Sequence, residues 1–359
     1  MGEKIVCGED IKKELLGLLP EEIFSTLLEE TCLEEALRPF YGDNIFRWLH
    51  LQLEKDPMEF SDIPKNIRDF LLRKFSIFQF NRAQFFLSKD GSEKVRLTCL
   101  DGNEIETVYL PYRGRRSVCV SSQVGCKWRC SFCYTGKMGF KRNLTAAEIV
   151  EQVYLFVRKY GPITHVVYMG MGEPLDNYEQ VLRSIKLLNH PKGQNIGMRR
   201  ITISTVGIIP SIERLLSEQI QVNLAISLHN PIPEERECQV PAEKIYPLKK
   251  LLPLLRRYYR ITHRQITFEY VVLPGINDAN RHVRSLVKIL YGLDCKVNLI
   301  PYNMVGMSSK ERKRHKSACT HFMSKLRQLG LNKVTIRSSR GLDISGACGQ
   351  LGLVPIASN

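Results

Sequence analysis

The chain has 359 residues, 43% of them apolar and 25% charged, enough to bury a large core and to fill one large domain plus a smaller one. Lys and Arg outnumber Asp and Glu by 52 to 37, a surplus of fifteen that is more than solubility requires and points to a polyanionic partner, most simply nucleic acid. No stretch approaches the roughly 18 apolar residues of a membrane span, and the acidic start with Glu3, Glu9 and Asp10 reads as no signal peptide, so a cytoplasmic protein is expected.

In chain order, residues 1–82 read as a small helical domain. Pro20 opens an amphipathic run with Glu21 and Glu22 in its first turn, and the runs around Ile45–Leu49 and Ile67–Leu72 repeat the pattern. Trp48 is expected in its core. Residues 83–116 alternate apolar and polar, with Asp90-Gly91 and Asp101-Gly102 as hairpin turns, which predicts a short antiparallel section. After Arg116 a β-then-α rhythm predicts parallel strands near 117–122, 164–170, 200–205, 221–228, 266–273 and 296–301. Helices are predicted over 145–159, 178–189, 210–218, 247–260, 279–290 and 312–329, with one more strand and a Gly-rich tail in 330–353. Six such units over 117–353 suit an α/β fold, an open partial (β/α)6 TIM-like barrel, with its chemistry at the C-terminal strand ends.

Eleven cysteines in a large chain argue for metal and redox chemistry in a reducing compartment. Three of them, Cys126, Cys130 and Cys133, stand in a C-x-x-x-C-x-x-C run, which supplies three thiolates for the four irons of a cluster and leaves one iron open. A zinc site would need a fourth Cys or His at finger spacing, and none follows. With Phe132 before the third cysteine, the stretch resembles the radical SAM superfamily, which implies a [4Fe-4S] cluster and S-adenosylmethionine (SAM) as cofactors.

Other residues fit the same template. Gly172-Glu173-Pro174 follows the strand ending at Met169, and glycine there lets backbone approach a ligand closely. Ser204, the run Ser227-Leu228-His229, and Asn303 end later strands. Cys119 lies one strand before the cluster loop, and Cys348 lies in the tail. Together these resemble the RlmN/Cfr family of radical SAM methyltransferases over almost the whole chain.

The resemblance implies that Gly172, Glu173, Ser204, Ser227, Leu228, His229 and Asn303 contact SAM. It implies that Cys348 becomes methylated, that Cys119 is the resolving thiol, forming a disulfide with Cys348 during turnover, and that the ring proton is taken by Glu106, the family's general base, or by Cys119 itself. Two SAM would be used per turnover, one to methylate Cys348 and one to generate the radical that activates that methyl. The implied product is adenosine methylated at C2 in 23S rRNA, at the peptidyl-transferase centre, and in the tRNA anticodon loop. The implied partners are those RNAs and an electron donor such as flavodoxin or ferredoxin, and a monomer is expected. A C8 methyltransferase of the same family, or an RNA-binding protein with a structural metal site, are the alternatives. The chain departs from the family where Val-Pro-Ile-Asn-Lys is usual, carrying Val240-Pro241-Ala242-Glu243-Lys244, and has Met304 where Pro is usual after Asn303. Three basic segments are expected to contact RNA: Arg113, Arg115 and Arg116; Arg256, Arg257, Arg260 and Arg264 interleaved with Tyr258 and Tyr259; and Lys310, Arg312, Lys313, Arg314 and Lys316.

Overall fold

A computed structural model describes residues 13–29 and 37–353; Glu3, Glu9 and Asp10 lie outside them. The chain forms two compact units, one of residues 1–79 with 186–195, the other of 80–185 with 196–359. The expected domain edge fell at 82, and residues 186–195 were expected in the barrel; they cluster instead with the N-terminal unit. Among the described residues no helix is long and apolar enough to cross a membrane.

The smaller unit is helical: α1 (Pro20–Leu28), α2 (Phe40–Arg47) and α3 (Lys65–Lys74). Pro20 fits the first helical position because its missing N–H would have no partner there, and Glu22 reaches back to accept from the Leu19 N–H at 2.8 Å. Trp48 is half-buried, stacked on Phe60 and donating its Nε1–H to Asp62 at 2.5 Å, a packing role rather than an open platform. His50 is fully buried and stacks on Phe46 at 4.0 Å, and Gln194 donates to its carbonyl at 2.9 Å.

The larger unit is built on one ten-stranded sheet: β1 (Phe80–Leu87), β2 (Glu93–Cys99), β3 (Glu104–Tyr112), β4 (Arg115–Cys119), β5 (His165–Tyr168), β6 (Ile201–Thr205), β7 (Asn223–Ser227), β8 (Ile266–Val272), β9 (Cys295–Pro301) and β10 (Val334–Ile336). Each strand pairs with its sequence neighbour, β1 to β4 antiparallel and β4 to β10 parallel. The antiparallel section, expected as a separate linker, is therefore continuous with the barrel sheet, Val108 on β3 pairing with Cys119 on β4.

Crossover helices α4 (Ala146–Tyr160), α5 (Tyr178–Asn189), α6 (Ile209–Ser217), α8 (Leu248–Thr262), α9 (Asn280–Leu290) and α10 (Ser309–Gln328) complete the six expected βα units, and an extra short helix, α7 (Pro233–Gln239), follows β7. Reciprocal bonds start α4, Glu148 N–H to Thr145 Oγ1 at 3.2 Å and Thr145 N–H to Glu148 Oε2 at 2.9 Å.

After β10 the tail crosses to the antiparallel hairpins and is fastened there. Asp343 accepts from the Ser88 hydroxyl at 2.5 Å and the Lys89 N–H at 3.0 Å, and Asp90 accepts from the Gly341 N–H at 2.9 Å. Farther along, Leu351 carbonyl accepts from Thr135 at 2.6 Å.

Burial, with His190 adding repulsion, lowers the pKa of His50 to about 3, so the folded state holds it neutral while the unfolded chain protonates near 6.5. Stability from this site is full above about pH 6.5 and falls as pH drops toward 3, by about 1.4 kcal/mol per unit. Urea midpoints measured from pH 7 to 4 should decline less steeply in His50→Leu than in the parent chain; parallel declines would remove His50 as the cause.

Candidate active site

The loop bearing Cys126, Cys130 and Cys133 is tied on all sides. Trp128 donates its indole N–H to Asp176 at 2.5 Å, Lys127 pairs with the same carboxylate at 2.9 Å, Ser131 N–H reaches the Gln239 carbonyl at 3.1 Å, and Tyr134 N–H reaches Gly349 at 2.9 Å. All three cysteines line one cavity of about 140 Å³. Burial pushes the thiols up, Cys126 to about 12 and Cys130 well above its usual value with Cys133 and Cys126 adding repulsion. Backbone N–H groups of Gly136 and Thr135 aim at the Cys133 sulfur. Among the described residues no three His, Cys, Asp or Glu side chains converge on one metal-ion position. The thiols ring a cavity instead, as suits ligands that each bind a different iron of one cluster, and a bound cationic cluster would relieve their mutual repulsion.

Across the same cavity stand Gly172, Glu173, Ser204, Ser227, His229 and Asn303. Gly172 has φ 99°, and a Cβ there would sit 2.5 Å from Gln123 Cβ, so only glycine fits. Glu173 Oε2 accepts from the Val206 N–H at 2.9 Å, and burial raises its carboxyl to about 7 with no cation beside it, a deficit that an amino group would fill. His229 Nδ1 accepts from the Val271 N–H at 3.0 Å, which leaves the ring proton on Nε2; burial and then Arg236 hold its pKa down near 3. Asn303 Nδ2 is buried without a protein partner. Leu228 differs from the expectation: its side chain is buried outside the cavity lining, and its carbonyl accepts from Arg236.

A second cavity of about 500 Å³ fills the barrel interior beside the first. Cys348 borders both, together with Met169, Ile300, Asn303 and Arg337, whereas Cys119 borders only the larger. Both cysteines are free thiols, so the disulfide expected between them is not a resident feature of this structure. Burial, then the neighbouring Cys348, pushes Cys119 up to about 12, and Arg337 opposes that rise. Glu106 does not border either cavity. Fully buried, it pairs with Lys94 at 2.9 Å and Arg96 at 3.3 Å and accepts from the tail N–H groups of Gly352 at 3.1 Å and Leu353 at 3.4 Å.

Residues 120–286 match the Radical SAM superfamily. The chain is 41% identical over 345 residues to the probable dual-specificity RNA methyltransferase RlmN of Thermus thermophilus, covering 95% of this chain and 93% of that protein. It is 41% identical over 351 residues to the dual-specificity RNA methyltransferase RlmN of Alcanivorax borkumensis, covering 95% and 90%. The chain belongs to the RlmN family of radical SAM RNA methyltransferases. A crystal structure of a radical SAM methyltransferase from Sphaerobacter thermophilus superposes with a TM-score of 0.86 at 39% identity, over 94% of this chain and 99% of that one. The cofactors of the family, a [4Fe-4S] cluster and SAM, are those the two sides of the smaller cavity suit.

Sequence reasoning missed three members of this RlmN-family site. Arg337, next to Cys348, Glu269 and Cys119, is held charged by them. Glu269 lines the smaller cavity with Oε2 unpartnered, and a carboxylate inside the apolar strand β8 was the available signal. Arg236 on α7 had none, since it reads as a solvated helix residue. It is fully buried and donates to the Leu228 carbonyl at 3.0 Å, Val206 at 2.9 Å and Ser227 at 3.1 Å, so it gathers the ends of β6 and β7.

The departure at Glu243 has a place in this arrangement: its carboxylate pairs with Arg236 at 2.6 Å and accepts from the Leu248 N–H at the start of α8. Met304 is exposed. On α8 and just past it, Arg256 donates to the Ile289 and Tyr291 carbonyls, Arg264 to Val222 and Asn223, and Tyr258 is buried, so these three serve the fold, whereas Arg257 and Arg260 are exposed.

Removing one partner of a fully buried pair leaves an uncompensated charge, which costs about 3–5 kcal/mol. Glu243→Ala should lower stability by that amount in chemical denaturation, and Glu243→Asn by less because an amide still accepts from a guanidinium. A midpoint unmoved in Glu243→Ala would show that Arg236 is satisfied without it.

Proposed function

We propose that this chain methylates C2 of adenosine in 23S rRNA and in tRNA, carrying the transferred carbon on Cys348 and releasing it with Cys119. The observation that carries the reading is the position of Cys348 on the wall shared by the two cavities, with Cys119 facing it from the larger one. A thiol on that wall can be methylated from one side and meet a nucleobase on the other. The relatives' description as dual-specificity RNA methyltransferases supports RNA as the substrate, and C2 is the position that the family resemblance of the sequence implies.

When bound, the cluster supplies the electron that cleaves SAM. The chain's own residues bind and orient: Glu173 takes the amino group of SAM, His229 donates from Nε2, and Asn303 and Glu269 use their unpartnered atoms on the ligand. Once the base is attached through the Cys348 carbon, the Cys119 thiolate attacks the Cys348 sulfur. The carbon leaves with the bonding pair and takes a proton as the methyl group, and the Cys119–Cys348 disulfide is then reduced. Arg337 favours the thiolate at Cys119. Before that attack the ring proton passes to Cys119, which returns it to the leaving carbon as its sulfur bonds to Cys348; Glu106 is saturated by Lys94, Arg96 and tail amides away from the cavity.

Expression of variants in a strain lacking its own enzyme tests the assignment. Cys119→Ala should accumulate a covalent protein–RNA adduct on denaturing gels, and Cys348→Ala should form none. Adduct in equal amount in both removes the assignment. Nucleoside mass spectrometry of RNA from the same strain expressing the unsubstituted chain should show 2-methyladenosine; 8-methyladenosine alone would move the product to C8, and no methyladenosine would overturn the reading.

A further inference from the structure

The third hairpin of the antiparallel section has an unusual turn. Two residues, Arg113 and Gly114, join β3 to β4, with Tyr112 paired to Arg115 across it. Both central residues have positive φ, 42° for Arg113 and 76° for Gly114, the tight turn whose first position favours Asn, Asp or Gly. An arginine held in the left-handed region is disfavoured by its Cβ, so its charge at this point is the feature to explain.

That charge does not stand alone. Arg113 and Arg340 lie over the Tyr112 ring at 5.3 and 5.5 Å, although they are more than two hundred residues apart in sequence. Arg340 is fixed by the carbonyls of Pro111 and Asp90. With Arg115 and Arg116 these side chains line an open surface depression of about 470 Å³. Arg116 is engaged by the Tyr160 carbonyl at 3.0 Å, and the carboxylate there, Asp90, is occupied by the Ser92 and Gly341 N–H groups. Arg113, Arg115 and Arg340 enter no ion pair among the described residues.

Tyr112, Arg115 and Arg340 border both this depression and the 500 Å³ interior cavity that holds Cys119 and Cys348. The depression is thus the rim of a passage to the thiols. Inside, Lys296 and Arg337 continue the positive lining.

We propose that this rim is a phosphate-binding entrance: the RNA backbone beside the target adenosine seats on Arg113, Arg115 and Arg340, and the base passes between Tyr112 and the tail into the interior cavity. The proposal rests on the RNA methyltransferase reading above and adds where the polyanion docks. Guanidinium groups in a fork suit phosphate oxygens, and an aromatic beside them offers a face on which an unstacked base can rest. An extruded nucleotide needs this pairing, because its backbone stays outside while its base goes in.

The test uses the full-length, cluster-loaded protein and a fluorescent stem–loop RNA with an unpaired adenosine, read by anisotropy over a series of salt concentrations. For single-stranded RNA each phosphate contact contributes about 0.7 to the slope of log affinity against log salt. Arg113→Gln/Arg115→Gln should flatten the slope by about 1.4, and Arg113→Lys/Arg115→Lys should restore most of it. In a Cys119→Ala background the Gln pair should cut adduct formation several-fold at limiting RNA and recover it at saturating RNA. An unchanged slope in a Gln variant with parental melting temperature overturns the entrance, as does an equal flattening by Lys313→Gln/Lys316→Gln on α10. Should the parent protein yield no methyladenosine, the underlying reading fails separately, and the slope still reports whether RNA docks at this rim.

Discussion

Among the contacts that hold the tail carrying Cys348, one is a buried ion pair that grips it on both sides of that cysteine. Lys94 and Glu106 sit on neighbouring antiparallel strands, both fully excluded from water, and between them they hold the tail on either side of that cysteine: Lys94 donates to the Ser345 carbonyl at 3.4 Å, and Glu106 accepts from Gly352 and Leu353. Desolvating two charges gains little in stability by itself. Burial does lower the pKa of Lys94, with Glu106 opposing it. What the pair provides is a fixed point outside the cavity linings, from which a short loop presents its thiol to both. That explains why the barrel carries three extra antiparallel strands on its first edge. They are the dock for the tail.

The other side of the site has an analogous fixed point in Arg236. Its three carbonyl acceptors belong to the residues just past β6 and at the end of β7, so a single guanidinium sets the spacing of the segments that carry Ser204, Ser227 and His229. His229 itself has φ 55°, a conformation stabilised by the Val271 N–H on its ring and Asn277 on its carbonyl. Substituting Asn by Glu at 243 thus changes the support of this wall without touching its lining.

The barrel was legible because its causes are local. Strand and helix periods, glycine turns and the cysteine spacing each act within a few residues, and the parallel strands appear within a few positions of where alternation puts them. Supporting contacts act between distant residues, and no local period announces them. Nothing near Glu106 in sequence says that its partners include residues 352 and 353, and Arg236 looks like any charge on a short helix. Glu106 was accordingly expected as a base and is found clamped. The end of α5 and the loop after it, residues 186–195, continue a barrel helix in sequence yet cluster with the smaller unit, where Gln194 meets the His50 carbonyl and Lys192 pairs with Asp43.

The net charge of fifteen illustrates the same limit in electrostatic terms. Counted from sequence, every arginine counts equally toward a polyanion-binding surface, but a buried guanidinium committed to carbonyls contributes little to the field that a phosphate meets in water. Arg236, Arg256 and Arg264 hold strands and helix ends together, Arg142 bridges Asp101 and Glu148, and Arg337 faces two thiols. Other cations stand exposed at the surface, among them Arg113 and Arg115 at the β3–β4 turn, Arg257 and Arg260 on α8, and Lys310, Lys313, Arg314 and Lys316 on α10. Position and neighbours, rather than the total, decide which of these charges a phosphate in water can meet.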